Sequence, residues 1–87
     1  MNSDCYLDRV VYQSFDENND MMDQFAIDMC ENWGEAVDIG LCYANETDGA
    51  TSFTLSMGYG IHPYWEQFEK SGDSWISVDS NGLEELL

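Results

Sequence analysis

The stretch DENNDMMDQFAIDMCENWGE, residues 16–35, decides how the chain is read, because its apolar residues recur at helical spacing while acids fill most gaps between them. From Asp20 onward Met22, Phe25, Ala26, Met29, Cys30 and Trp33 fall on one stripe, and Asp23, Gln24, Asp28, Glu31 and Asn32 fall off it. The spacing predicts the main helix, with Asn19 or Asp20 capping its first turn and Gly34 supplying a left-handed stop. Glu31 and Glu35 would then sit at the C-terminal end, where the helix dipole opposes them. Such placement suggests that their charge serves something other than the helix.

Working outward, AVDIGLCYAN (36–45) and TSFTLSMGYG (51–60) read as two strands of an antiparallel hairpin, with Asp48 and Gly49 offering turn chemistry between them. Val37, Ile39, Leu41 and Tyr43 alternate on the first, and Phe53, Leu55, Met57 and Tyr59 on the second. The segment HPYWEQFEK (62–70) predicts a short second helix begun at Pro63, with Trp65 and Phe68 available for packing. SWISV (74–78) follows as a strand, Asn81 and Gly82 mark a turn, and the final LEELL is a helical turn or an added edge segment. At the other end CYLDRVVYQSF (5–15) suits either element and is read as a strand. The expected fold is α+β, a small antiparallel sheet packed against one main amphipathic helix with a short second helix. At this length residues 1–87 form one acidic domain, since a split would leave no piece large enough for a core.

Hydrophobic residues make up 44% and aromatic residues 14% of the chain, so a packed core is within reach and acidic disorder is not expected. Against 18 Asp and Glu stand only Arg9 and Lys70, for a formal net charge of -16. Asp4 or Asp8 beside Arg9, and Glu66 or Glu69 beside Lys70, are the local pairs on offer, and exposed pairs contribute only about 0 to 1 kcal/mol each. The remaining carboxylates repel one another, which implies a use for the field or a solvent that screens it. Cys5, Cys30 and Cys42 are an odd set without close spacing, which points to free thiols in a reducing cytoplasm and leaves a Cys30 to Cys42 bridge open. MNSDCYLDRVV lacks the basic and apolar regions of a secretory signal, and no run approaches the roughly 18 apolar residues of a membrane span. The expectation is a soluble protein repelled by anionic membranes and by nucleic acid.

Chemistry-bearing patterns are weak. Asp16, Asn18 and Asp20 begin like a calcium loop, but Met21 stands where the glycine is needed and Ile27 where the closing glutamate should be. DSNG at Asp79 has still fewer ligands. His62 is the one histidine, with no nucleophile placed beside it, and it cannot join the cysteines in any paired zinc spacing. Paired carboxylates alone suggest glycosidase chemistry, yet a chain this short has little room for a substrate cleft. No enzyme, cofactor or metal is expected.

The acids themselves carry the signal, because no run exceeds two and every part of the predicted fold holds some. Carboxylates three or four residues apart on a helix lie about 5 to 6 Å from one another, a separation of the order found between backbone phosphates. A rigid acidic face would therefore attract a groove built to track nucleic acid. Asp16, Glu17, Asp20, Asp23, Asp28, Glu31 and Glu35 would carry most of this field, Asp38, Glu46 and Asp48 would extend it, and Tyr59, Tyr64 and Trp65 are the expected aromatic anchors.

In size, scarcity of Lys and Arg, and acids spread over an α+β chain, the sequence resembles the small acidic DNA-mimic inhibitors of phages and mobile elements. That class includes anti-restriction proteins, uracil-DNA glycosylase inhibitors and some anti-CRISPR proteins. The Glu-Ser-Ile segment of the glycosylase inhibitors does not occur here, which argues against that target. The resemblance implies a non-enzymatic inhibitor of a basic nucleic-acid-binding protein, such as a CRISPR effector, a restriction enzyme or another DNA-processing enzyme, acting in the host-cell cytoplasm. A homodimer would lengthen the acidic surface. Two other readings use the same electrostatics: an acidic chaperone or antitoxin of a basic protein, and a structural domain adapted to high salt.

Overall fold

Strand β1, Val10–Phe15, forms because VVYQSF alternates, with Val10, Tyr12 and Ser14 buried on one side and Val11, Gln13 and Phe15 half-buried on the other. The structure is a computed structural model and describes residues 9–28, 30–57 and 64–83. The expected features at Cys5, Met29, Tyr59, His62 and Pro63, and the acids Asp4, Asp8, Glu84 and Glu85, lie outside them. So does most of LEELL.

After β1 the chain turns back immediately. Asp16 Oδ1 accepts the backbone N–H groups of Asn18 at 2.8 Å and Asp20 at 3.0 Å, and Asn19 takes a positive φ of 66°, which asparagine tolerates. Residues Met21–Ile27 then form strand β2 beside β1, with Ile27 opposite Val10 and Asp23 opposite Ser14. The main helix predicted from Asp20 is therefore a strand. MMDQFAI supports both periods, since Phe25 and Ile27 also alternate, and the adjacent β1 supplies a pairing partner that helical spacing cannot foresee.

Helix α1, Trp33–Glu46, begins where the predicted helix was to stop. Asn32 Oδ1 accepts the Glu35 backbone N–H at 2.9 Å, and Glu35 Oε1 reaches back to the Glu31 N–H at 2.8 Å, a reciprocal N-terminal cap. Its buried positions are Trp33, Ala36, Gly40 and Ala44, mostly small residues three or four apart. The alternation of Val37, Ile39, Leu41 and Tyr43 that predicted a strand at 36–45 instead spreads over the flanks, with the first three half-buried against the core and Tyr43 exposed. Asp48 and Gly49 make the exit from the helix rather than a hairpin turn, and Gly49 takes a φ of 93°.

Three strands complete the sheet: β3 (Ser52–Met57), β4 (Tyr64–Ser71) and β5 (Ser74–Asn81). The second helix predicted over 62–70 is absent from the described residues, where α1 is the one helix. YWEQFEKS alternates Tyr64, Glu66 and Phe68 against Trp65, Gln67 and Glu69, and its pairing to β3 on one side and β5 on the other settles the strand. β5 contains the predicted SWISV, and Gly72 at a φ of 65° turns the β4–β5 hairpin.

All neighbours pair antiparallel in the order β2-β1-β3-β4-β5, so the α+β class is as expected although its elements are differently assigned. The core lies between α1 and one sheet face. Along it runs an aromatic row from β2 to β5: Phe25 and Tyr12 stack at 4.7 Å, Tyr12 and Phe53 at 5.5 Å, Phe53 and Phe68 at 4.7 Å, and Trp75 meets Phe53 edge-on at 5.3 Å. Trp33 and Trp75 also donate indole N–H groups, to Glu66 Oε1 at 2.8 Å and Asn45 Oδ1 at 2.9 Å, which tie the two ends of the helix to β4 and β5.

Candidate acidic interface

The sequence-predicted carboxylates do not share one helix. Asp16, Glu17 and Asp20 sit on the β1–β2 turn, Asp23 is exposed on β2, and Asp28 lies beyond the far end of β2. Because β2 runs the length of the sheet between them, the stretch 16–35 is divided between opposite ends of the molecule. Asp16 spends one carboxylate oxygen on its own turn, so the calcium-like spacing of Asp16, Asn18 and Asp20 is used to reverse the chain.

An acidic stripe nevertheless runs along α1, in two groups parted by the seven uncharged residues 39–45. Glu31 precedes the helix, Glu35 and Asp38 lie on its exposed side, Glu46 is its last residue and Asp48 follows in the exit turn. All five are exposed. Fourteen helical residues at about 1.5 Å rise carry this stripe roughly 20 Å. Since α1 ends beside the start of β3, and Ser52 of β3 pairs with Phe15 of β1, the stripe leads toward the Asp16, Glu17 and Asp20 turn.

Little opposes this field. Among the described residues the ion pair is Arg9 with Asp28, 3.4 Å apart and largely exposed. Lys70 does not pair with Glu66 or Glu69; its Nζ lies 5.9 Å from the Trp75 ring, and Glu66 instead accepts from Trp33. An open concavity of about 370 Å³ near the β1–β2 turn is lined by Asp16, Glu17, Asn19, Gln67 and Glu69, with Lys70 the one cation on its wall.

The aromatic anchors separate. Tyr64 packs against the core on the helix side, whereas Trp65, its neighbour on β4, is half-buried on the opposite sheet face. One partner surface lying on α1 cannot touch both. Cys30 and Cys42 are free thiols, the first buried and the second exposed among the α1 carboxylates with Sγ 3.9 Å from Glu46 Oε2. Burial pushes the Cys30 thiol pKa up, with Glu35 and Asp28 adding to it.

No group of three or more His, Cys, Asp or Glu side chains among the described residues is arranged to hold a metal ion, and no helix there is long and apolar enough to cross a membrane. The features missed at the level of sequence are the N-terminal cap Asn32 with Glu35, legible in their spacing, and the exposed apolar pair Ile76 and Val78 of β5, whose edge position required the sheet order. Comparison with family models, with curated proteins and with solved structures finds no match for this chain.

Proposed function

We propose that the protein is a non-enzymatic inhibitor that presents carboxylates as a nucleic-acid backbone presents phosphates, and that it occupies the basic groove of a restriction enzyme, a CRISPR effector or another DNA-processing enzyme in the host-cell cytoplasm. The observation that carries this reading is the exposed stripe Glu31, Glu35, Asp38, Glu46 and Asp48, held in register by α1 with no ion pair to any of them among the described residues. Glu35 and Asp38, three residues apart on the helix, stand about 5 to 6 Å from one another, and the acidic groups at its two ends suit a groove lined with Lys and Arg. Release of counterions from both partners adds to the attraction at low salt.

The test is capture of partners from a bacterial lysate at moderate salt, followed by challenge with excess duplex DNA. The expected result is one nucleic-acid enzyme that DNA displaces, and whose DNA binding the protein blocks in a purified assay. A variant with Glu31, Glu35, Asp38 and Glu46 all changed to Gln should inhibit at least about tenfold less well, because several shared charges are removed together while the amide oxygen introduced by Glu35→Gln can still cap α1. A captured basic protein that DNA fails to displace would instead favour an acidic chaperone or antitoxin.

A further inference from the structure

Among the described residues strand β5 is bonded on one side only, to β4, so a row of its backbone N–H and C=O groups faces outward. Natural edge strands are usually blunted by Lys, Pro or inward charges. SWISVDSN has no Lys or Pro; its only charge is Asp79, and every residue of it but Trp75 is exposed. The register shifts between Gln67 and Phe68, which leaves Val78 as a bulge and makes residues 74–77 the regular part of the edge. Ile76 and Val78, 50% and 43% exposed, stand along this edge as large apolar side chains in water.

The other edge, β2, is differently equipped. Phe25 is stacked on Tyr12 and meets the Tyr43 ring of α1 at 4.6 Å, the Met22 methyl lies within 3.6 Å of where a side chain on Gly49 would start, and Gln13 Nε2 donates to Met21 Sδ at 3.8 Å. Phe25 is thus engaged within the fold, whereas Met21 and Met22 stay 54% and 38% exposed. The β5 edge differs in carrying the β-branched Ile76 and Val78, which favour strand pairing over flexible methionines.

We propose that the outer edge of β5 receives an extended basic segment of a partner protein as a sixth strand. Main-chain hydrogen bonds would supply affinity and alternate side chains selectivity, the usual division in strand addition. Charge selects the occupant: Glu69 lies opposite Ile76, Asp79 is on β5 itself, and Asp73 is in the adjoining turn, whereas Lys70 is held over Trp75. A second copy would bring a net charge of -16 against an equal charge, so a Lys- or Arg-bearing strand with apolar or small residues at alternate positions fits best. Residues 74–80 of β5 offer roughly 23 Å of edge at about 3.3 Å per residue. This inference stands on the open edge and the net charge rather than on the α1 stripe, and it fails or holds independently of the inhibitor reading.

The probe is a synthetic octapeptide alternating Arg and Val, with octa-arginine and a proline-interrupted version as controls, and the readout is amide hydrogen exchange of the intact protein. Alternate β5 amides should gain at least about tenfold protection with the alternating peptide alone, while β2 amides stay unchanged. Ile76→Lys combined with Val78→Lys should weaken binding at least about tenfold, and since both side chains are half-exposed the fold should persist. Exchange in the unaltered protein decides the matter even if that variant unfolds. Equal binding of octa-arginine without β5 protection, protection at β2, or β5 protection that grows with protein concentration in the absence of peptide would each overturn the proposal.

Discussion

Gly40 shows how closely single residues govern the packing, since a Cβ built there would stand 3.0 Å from Phe53 Cε1 and 3.2 Å from Leu55 Cδ2. Both neighbours are fully buried, so neither has room to yield. Gly40→Ala gains about 1 kcal/mol of helix propensity but overpacks the core by about 1 to 3 kcal/mol, and urea denaturation should register a net loss near 1 kcal/mol. The two buried acids of the core act through pH. Burial raises the Tyr12 pKa above 10.0 against the opposing Ser14 and Thr47 hydroxyls, with Asp23 adding to the rise, and burial with Glu35 and Asp28 raises that of Cys30 above 9.0. In each case the folded state holds its proton more tightly than the unfolded chain. Their contribution to stability is therefore complete below pH 9, and is lost as pH rises through the raised values, which alkaline denaturation midpoints will reveal. In a Cys5→Ser background, Cys42 should react with a thiol reagent at once and Cys30 only after unfolding, because one is exposed and the other buried.

Between elements, helix and strand exchanged places along much of the first half of the chain. Residues 20–33 carry a helical stripe and 36–45 an alternating one, yet the first forms β2 and the second most of α1. Periodicity was ambiguous in both, because Phe25 and Ile27 satisfy a strand as well as a helix, and the core positions of α1 are the small residues Ala36, Gly40 and Ala44 rather than its large ones. The cap was the better guide. Asn32 followed three residues later by Glu35 is a start signal, and Gly34 between them is a competing stop signal. Asn32→Ala should cost about 1 kcal/mol in chemical denaturation, whereas Asn19→Ala, in a turn with positive φ, should destabilise the β1–β2 hairpin instead. The β3 face of Phe53, Leu55 and Met57 was fully legible; its partners β1 and β4 were not, since strand order depends on contacts far apart in sequence.

Across the whole molecule, charge was the most legible property and its geometry the least. Eighteen acids against two cations follow from composition, but their separation onto a hairpin tip, a helix stripe and a β5 edge depends on topology. In a body of 42 × 24 × 19 Å these groups repel throughout, so raising salt from about 0.01 M to 0.5 M should raise the thermal midpoint by about 5 °C. The variant with four α1 carboxylates changed to Gln should gain less from salt, having less repulsion to screen. The strand order carries a kinetic consequence as well. β1 with β2, and β3 with β4, pair between chain neighbours, while β1 with β3 brings Phe15 to Ser52 across the entire helix. That closure is the most entropically demanding step of the search, and the rate at which the chain reaches its native state is set by the seam between its two halves. Leu55→Ala, on that seam, should slow refolding, whereas Ile76→Ala should leave the refolding limb nearly unmoved.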